Sequence, residues 1–184
     1  MHQSFSVRRP PDSGNSEILA HYGTPELKER YLEPLLDNRI ISCFSMTEPQ
    51  GGADPKIFET TAVQDGDHWV INGEKWYSSF ASKASFIIVM TMTDPDAAPY
   101  ERYSMFVLPG GTPGINVLRD VGLGYQPLGG GGREGTCAMR TFGCRPIICS
   151  ARAAAPSWWH RLAWAAAGFI MRCGPSAWCG GYST

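Results

Sequence analysis

Near the start of the chain, apolar residues recur at the three- and four-residue spacing of amphipathic helices. Asp12-Ser13-Gly14-Asn15 is typical of a turn with capping oxygens, and a first helix is predicted over residues 17–22. Thr24 and Pro25 are the residue types that begin a second helix, as N-cap and first helical residue. The apolar side chains of that helix share one face and need a partner surface: Leu27, Tyr31, Leu32, Leu35 and Leu36.

Beyond Ile40 the pattern changes to short runs of β-branched and aromatic residues, which predict strands. Asp65-Gly66-Asp67 has the composition of a hairpin turn, and Asn72-Gly73 predicts a second tight turn. The predicted strands are residues 40–44, 57–64, 69–71, 74–79, 86–93, 104–108 and 115–118. Strands this short and this close together indicate an antiparallel sheet or barrel, and the glycines at 129–132 end the pattern.

The net charge of −1 combines two unlike parts of the 184-residue chain. Residues 1–132 carry ten Lys and Arg against sixteen Asp and Glu, whereas residues 133–184 carry six Arg and one Glu. The second part also holds five of the six Cys and four of the six Trp. Two different compositions are therefore joined in a chain long enough for one domain but not for a large multidomain enzyme.

Composition argues against several classes of protein. No apolar stretch follows Met1, as a secretory signal requires, and the longest apolar run, residues 162–171, is too short to cross a bilayer. We expect no nucleic-acid partner, because the arginines of the tail are scattered singly rather than in blocks. We expect no metal site, since the tail cysteines fit no common zinc spacing. Cys43 is the one cysteine before the tail, so an oxidising compartment has little support.

Two motifs carry the candidate chemistry. A predicted strand runs into Thr47-Glu48-Pro49-Gln50-Gly51-Gly52-Ala53-Asp54, where exposed backbone amides lie beside a hydroxyl. Such a turn suits a ring that presents carbonyl and nitrogen acceptors, although most turns of this composition are only turns. The second motif is Asn72-Gly73-Glu74-Lys75-Trp76-Tyr77-Ser78-Ser79, with the apolar run 86–93 after it.

Together the two motifs resemble the middle β-domain of the acyl-CoA dehydrogenase family, and Tyr22-Gly23-Thr24 is similar to its 10/11-like branch. The resemblance implies an α+β fold: an antiparallel, barrel-like β-domain preceded by two short helices and followed by a low-order or loosely helical tail. The implied boundaries are residues 1–38 for a remnant of an N-terminal helical domain, 39–130 for the β-domain and 131–184 for the tail. A chain truncated at both ends is expected.

The resemblance also implies FAD as cofactor and an acyl-CoA thioester as substrate. Thr47 would donate a hydroxyl hydrogen bond to the flavin, and the Ser79 hydroxyl would meet flavin N5, the atom that accepts hydride. Tyr77 would lie beside the ring, and Trp76 would serve packing. The implied flavin-binding residues are Phe44, Met46, Thr47, Tyr77, Ser78 and Ser79. The implied substrate-binding residues are Gly52 and Ala53, although the family usually has Ser or Thr in place of Ala53.

The expected function is therefore FAD-dependent α,β-dehydrogenation of an acyl-CoA, in a homo-oligomer, in the cytoplasm, or in mitochondria or peroxisomes of a eukaryote. No residue matches the family's general base, a carboxylate on a C-terminal helical domain. The alternatives are a non-catalytic remnant that binds no flavin, and a β-rich interaction module. In the second case the helix face of Leu27, Tyr31 and Leu35 would seek a partner.

The unusual tail has the composition of a shifted reading frame. Read one base out of frame, the codons for residues from Gly135 onward permit a strand, a Val-Pro-Ala-Asp turn and a helix opening with Gly-Arg-Ile-His-His. This is similar to an acyl-CoA dehydrogenase continuation. The runner-up is a real but divergent tail rich in Ala, Trp and Cys.

Sequencing the gene across the codons for residues 129–132, with reads checked for insertions and deletions, tests the frame prediction. We expect an insertion or deletion in this run, because glycine codons are rich in G. A clean gene that is in frame through Thr184 would contradict it.

Overall fold

The computed structural model describes residues 11–52, 54–66, 68–99, 101–121, 134–144 and 148–149. Helix α1 (Asp12–Tyr22) is followed by α2 (Pro25–Leu27), which continues through a π-helical turn (Lys28–Leu32) into α3 (Glu33–Leu36). A 3-10 turn covers Pro55–Ile57. The strands are β1 (Ser42–Ser45), β2 (Thr61–Asp65), β3 (His68–Ser79), β4 (Phe86–Met92), β5 (Tyr103–Pro109), β6 (Ile115–Val121), β7 (Glu134–Cys144) and β8 (Ile148–Cys149).

The predicted turn over residues 12–15 is wrong, because these residues form the first turn of α1. The Asp12 carboxylate accepts hydrogen bonds from the backbone N–H of Ser42 at 2.8 Å and from its hydroxyl at 2.6 Å. The Asn15 amide donates to the same hydroxyl at 2.8 Å. These polar side chains therefore hold the start of α1 against the start of β1 and do not cap a turn.

The second predicted helix is confirmed at its start. Thr24 is the N-cap, and its hydroxyl accepts from the Leu27 N–H at 3.3 Å, with Pro25 following. Leu27, Tyr31 and Leu35 are buried, and the Tyr31 ring lies 4.7 Å from the Phe86 ring. The reading as an interaction module with this face exposed is therefore wrong, because the chain's own sheet covers it.

The sheet is mixed, which corrects the prediction of an antiparallel barrel. Its strand order is β6-β7-β3-β2-β4-β5-β8, with β1 also paired to β4. Both β1 and β2 run parallel to β4, since each reaches it through a crossover rather than a hairpin. Over the described strands the sheet does not close on itself.

Strand β3 runs without a break through Asn72-Gly73, so the second predicted tight turn is wrong. A Cβ on Gly73 would collide with the side chain of Thr60, and glycine is needed here for close approach of the backbone. The hairpin at Asp65-Gly66-Asp67 is confirmed, because Asp65 pairs with His68 across it.

Strands β4 and β5 are buried on both faces and separate two apolar clusters. Phe86, Ile88 and Met90 of β4 face the helices, while Ile87 and Val89 face the opposite cluster. The predicted strand 86–93 is confirmed with nearly the same bounds. This double burial explains why its sequence is apolar throughout and does not alternate.

The predicted low-order or loosely helical tail is wrong for residues 134–144, which form β7 between β3 and β6. A strand in this position supplies hydrogen-bond partners to the edges of both neighbours, a requirement of the tertiary structure that local composition does not report. Most of the remaining tail lies outside the described residues. Among the described helices, none is long and apolar enough to cross a membrane.

Candidate functional site

The two motifs lie side by side at the end of β1. The hydroxyls of Ser45 and Ser78 are 2.5 Å apart, and the backbone N–H of Trp76 donates to the Thr47 carbonyl at 2.8 Å. One position further, the Lys75 ammonium donates to the Glu48 carboxylate at 2.7 Å. As the residue number rises from 45 to 48 in one segment, the number of the partner residue falls from 78 to 75 in the other. The two segments therefore run antiparallel.

The side chains of both segments divide by burial. The inward set, at most 3% exposed, is Ser45, Glu48, Lys75 and Ser78. Three others are half-buried or exposed, Thr47, Trp76 and Tyr77, and we call them the outer patch. Met46 is half-buried against the apolar cluster that faces the helices. A regular strand alternates with a period of two, so the three-residue spacing of inward side chains requires an irregular backbone in both segments.

In β3 the irregularity is at Tyr77, whose φ of 55° lies in the left-handed region. The pairing of β3 with β7 shifts register between Lys75 and Ser78, as a β-bulge does. A left-handed backbone costs a residue other than glycine about 1–2 kcal/mol. It turns the Tyr77 side chain outward, where 53% of it is exposed, and such strain is concentrated at functional sites.

In the other segment the irregularity is the turn that follows Thr47. The backbone of Glu48 and Gly51 is joined by two hydrogen bonds, of 3.0 and 3.1 Å. A Cβ on Gly52 would lie 2.9 Å from Cγ2 of Thr47, so a glycine lets the turn fold back against that side chain. Asp54 then caps the 3-10 turn by accepting from the Lys56 N–H at 3.0 Å.

A buried ion pair holds the two segments together. The Lys75 side chain has no exposed surface, and besides Glu48 its ammonium donates to the Met46 carbonyl at 2.9 Å. The Glu48 carboxylate accepts three further hydrogen bonds, from the Gln50 amide and from the backbone N–H groups of Glu59 and Thr60. Every partner of this carboxylate is a donor, which favours its charged form.

The pKa values of the pair reflect the different number of partners. Burial alone would raise the pKa of Glu48, but the Lys75 ammonium and the N–H donors outweigh it and hold that pKa below its usual value. Burial lowers the pKa of Lys75 to about 8, against the attraction of Glu48. Both groups are therefore charged at neutral pH.

The structure brings most of the predicted site residues to this place. Thr47 and Tyr77 lie on the outer patch, and half-buried Ser79 follows it on β3. Phe44 and Met46, one residue before and one after Ser45, are half-buried against the cluster that faces the helices. Ser78 is buried, with its hydroxyl directed at Ser45 rather than outward.

Gly52 lies against Thr47, whereas Ala53 is outside the described residues. Within the described ranges, no three His, Cys, Asp or Glu side chains lie close enough together to hold a metal ion.

Sequence reasoning missed the pairing of Glu48 with Lys75. A signal was present, because the first motif carries only acidic charges, Glu48 and Asp54, and the second carries the one basic residue of the two motifs, Lys75. Lys75 also follows Ile71 by four residues along β3, the spacing of one face of a regular strand, and Ile71 is buried. A charge at an inward position of a strand requires a partner, and Glu48 is the partner that the other motif offers.

The chain is similar in sequence to known proteins of one family. Residues 43–132 match the family model described as acyl-CoA dehydrogenase, middle domain. The "Probable acyl-CoA dehydrogenase FadE2" of Mycobacterium tuberculosis is 42% identical over 133 residues, which cover 70% of this chain and 31% of that protein. The mouse acyl-CoA dehydrogenase family member 10 is 42% identical over 127 residues, covering 66% of this chain and 12% of that protein.

A solved structure has the same fold. The crystal structure of an FAD-dependent dehydrogenase superimposes with a TM-score of 0.69 at 25% identity, over 87% of this chain and 41% of that one. The chain therefore spans less than half the length of each of these three proteins.

Replacing Lys75 by Met tests the contribution of the ion pair to stability. The Glu48 carboxylate would stay buried without its counter-ion, so we expect Lys75→Met to lower the free energy of unfolding by about 3–5 kcal/mol. Urea titration measures this loss. Lys83→Met, at an exposed position, is the matched control and should change stability by less than about 0.5 kcal/mol. Equal effects of the two changes would contradict the prediction.

Acid titration tests the Glu48 carboxylate. Because its pKa is lowered in the folded chain, its stabilisation is complete above the ordinary value of 4.5 and is lost as the pH falls through the folded-state pKa. The stability difference between the wild type and Glu48→Gln should therefore be constant from neutral pH down to about 4.5 and shrink as the pH falls further. Thermal melts across this range measure it, and a difference independent of pH would show that Glu48 does not titrate in this way.

Proposed function

The chain belongs to the acyl-CoA dehydrogenase family through its middle domain, as its two motifs predicted, and we propose that this domain forms one wall of a flavin site in an FAD-dependent acyl-CoA dehydrogenase. When bound, FAD would accept the hydride that leaves the β-carbon of an acyl-CoA thioester. The observation that carries the proposal is the outer patch, in which a strained, exposed aromatic residue lies beside a threonine-bearing turn.

The residues of the patch fit a flavin ring. The carbonyl of Thr47 is already bonded to Trp76, so its hydroxyl is the group that it offers to a ligand. The ring's pyrimidine side presents carbonyl and nitrogen acceptors, which suit that donor. The exposed face of Tyr77 provides an aromatic surface on which a planar ring can pack. The match of this fold to an FAD-dependent dehydrogenase supports the same cofactor.

Each predicted site residue has a place in the proposal. Phe44 in β1 and Met46 just after it, both half-buried, would line the ring, and the hydroxyl of Ser79 would meet the ring from β3. Ser78 acts through Ser45, because its own hydroxyl is buried. Gly52 and Ala53 contribute to the acyl-CoA side.

The proposed wall does not complete an active site by itself. We place the general base and the remaining FAD contacts outside residues 43–132, since the matched proteins are more than twice as long as this chain. The proposed division of the chain is residues 1–38, the β-domain 39–130 and the atypical tail 131–184. An acyl-CoA substrate and a homo-oligomeric assembly belong to the proposal for the whole enzyme.

Titration of the full chain with FAD, followed by quenching of flavin fluorescence, tests the proposal. We expect binding, and we expect Thr47→Val to weaken it by the worth of one hydrogen bond, about 0.5–1.5 kcal/mol or up to roughly tenfold in Kd. Thr61→Val, the same change on the neighbouring strand β2, is the control and should leave Kd unchanged.

The two possible negative results differ in meaning. A chain that stays colourless with added FAD would overturn the proposal in favour of a non-catalytic remnant. Binding that Thr47→Val leaves unaltered would remove Thr47 from the site while keeping the flavin.

A further inference from the structure

We propose that Glu48 and Lys75 are positioning residues, whose ion pair sets the register of segment 45–48 against segment 75–78 and so places Thr47 beside Tyr77. The inference rests on the proposed function for its ligand, a flavin. It concerns two side chains that face away from the outer patch and would not touch the ring.

The first argument is that Thr47 is held from three directions by two consecutive residues of β3. The Lys75 ammonium donates to the carbonyl of Met46, the residue before Thr47, and to the carboxylate of Glu48, the residue after Thr47. The Trp76 N–H donates to the Thr47 carbonyl itself. The backbone of Thr47 therefore cannot move relative to β3 while these three bonds are made.

The second argument is that one carboxylate joins three parts of the chain. Besides Lys75 on β3, Glu48 binds Gln50 within its own turn, and Glu59 and Thr60 where the chain enters β2. The turn is therefore fixed at its far end as well as at Thr47. A slip of the turn by one residue would leave a buried charge, the buried N–H of Thr60 and the part-buried N–H of Glu59 without partners, which a folded chain avoids.

The third argument concerns what an apolar pair could not do. Two apolar side chains could fill the same volume, but they would accept several registers because their contacts have no preferred direction. An ammonium and a carboxylate at 2.7 Å accept one register, since the hydrogen bond is directional and neither group reaches water. The Lys75 ammonium also lies 5.0 Å from the centre of the Phe58 ring, which limits its orientation further.

The geometry defines a matched set of variants of the full 184-residue chain. Glu48→Gln removes the charge and keeps the size. Val107→Ala lowers stability from within β5, which pairs with β4 and β8 and with neither of the two segments. Asp37→Asn removes one partner of the exposed Arg39–Asp37 ion pair. The second variant controls for a loss of stability and the third for a loss of charge. An effect seen only in Glu48→Gln therefore reports a loss of position.

Native-state hydrogen exchange is the first measurement and needs no flavin. If the ion pair positions the turn, the Trp76 amide should exchange at least tenfold faster in Glu48→Gln, relative to the amides of β4. Val107→Ala should accelerate both sets together, and Asp37→Asn neither. Equal acceleration of the Trp76 and β4 amides in Glu48→Gln would overturn the proposal, because it would show a general loss of stability.

FAD titration is the second measurement. Where the wild type binds FAD, Glu48→Gln should weaken binding tenfold or more, whereas Val107→Ala should leave Kd unchanged. Unchanged binding by Glu48→Gln would overturn the positioning role while leaving the proposed function intact. If the wild type binds no FAD, the proposed function fails and the exchange of the Trp76 amide alone decides whether the pair positions the turn.

Discussion

A carboxylate and an ammonium that have almost no contact with solvent, 2.7 Å apart, join the two halves of the candidate site. Removing both charges from water is expensive, and the attraction between them does not by itself repay that cost. The backbone N–H groups of Glu59 and Thr60, which donate to the Glu48 carboxylate where the chain enters β2, offset the remaining cost. Lys75 is on β3, and Glu48 is on the turn between β1 and β2. The positions of β1, the turn and β2 relative to β3 therefore all depend on this pair.

The pair also explains the shape of the outer surface. With Glu48 and Lys75 directed inward at one end, and Ser45 and Ser78 at the other, Thr47, Trp76 and Tyr77 between them stay at the surface. Two outward residues in succession do not fit a regular strand, so the backbone of Tyr77 adopts a left-handed conformation. Buried polar contacts therefore maintain an exposed aromatic residue in a conformation that it would not adopt alone.

Local patterns predicted most elements whose residues interact mainly with their sequence neighbours. The N-cap at Thr24, the hairpin at Asp65-Gly66-Asp67 and the apolar strand β4 are confirmed. The errors concern residues whose conformation is decided at long range. Asp12 belongs to a helix because Ser42 binds it, and Gly73 continues a strand because Thr60 lies against it. Residues 134–144 form a strand because two edges lie on either side.

For the site, the sequence by itself determined the family and the residues that make up the two motifs, since the residue types and their spacing are specific. It also determined that Thr47 follows a strand, in a turn, and that Tyr77 lies in a strand. Only the tertiary structure decided that the motifs run antiparallel, that Lys75 meets Glu48 and that Tyr77 faces outward. The physical reason is that alternation along a strand predicts a side chain's direction only while the backbone is regular. At this site a buried charge pair, contributed by residues 27 positions apart, makes it irregular.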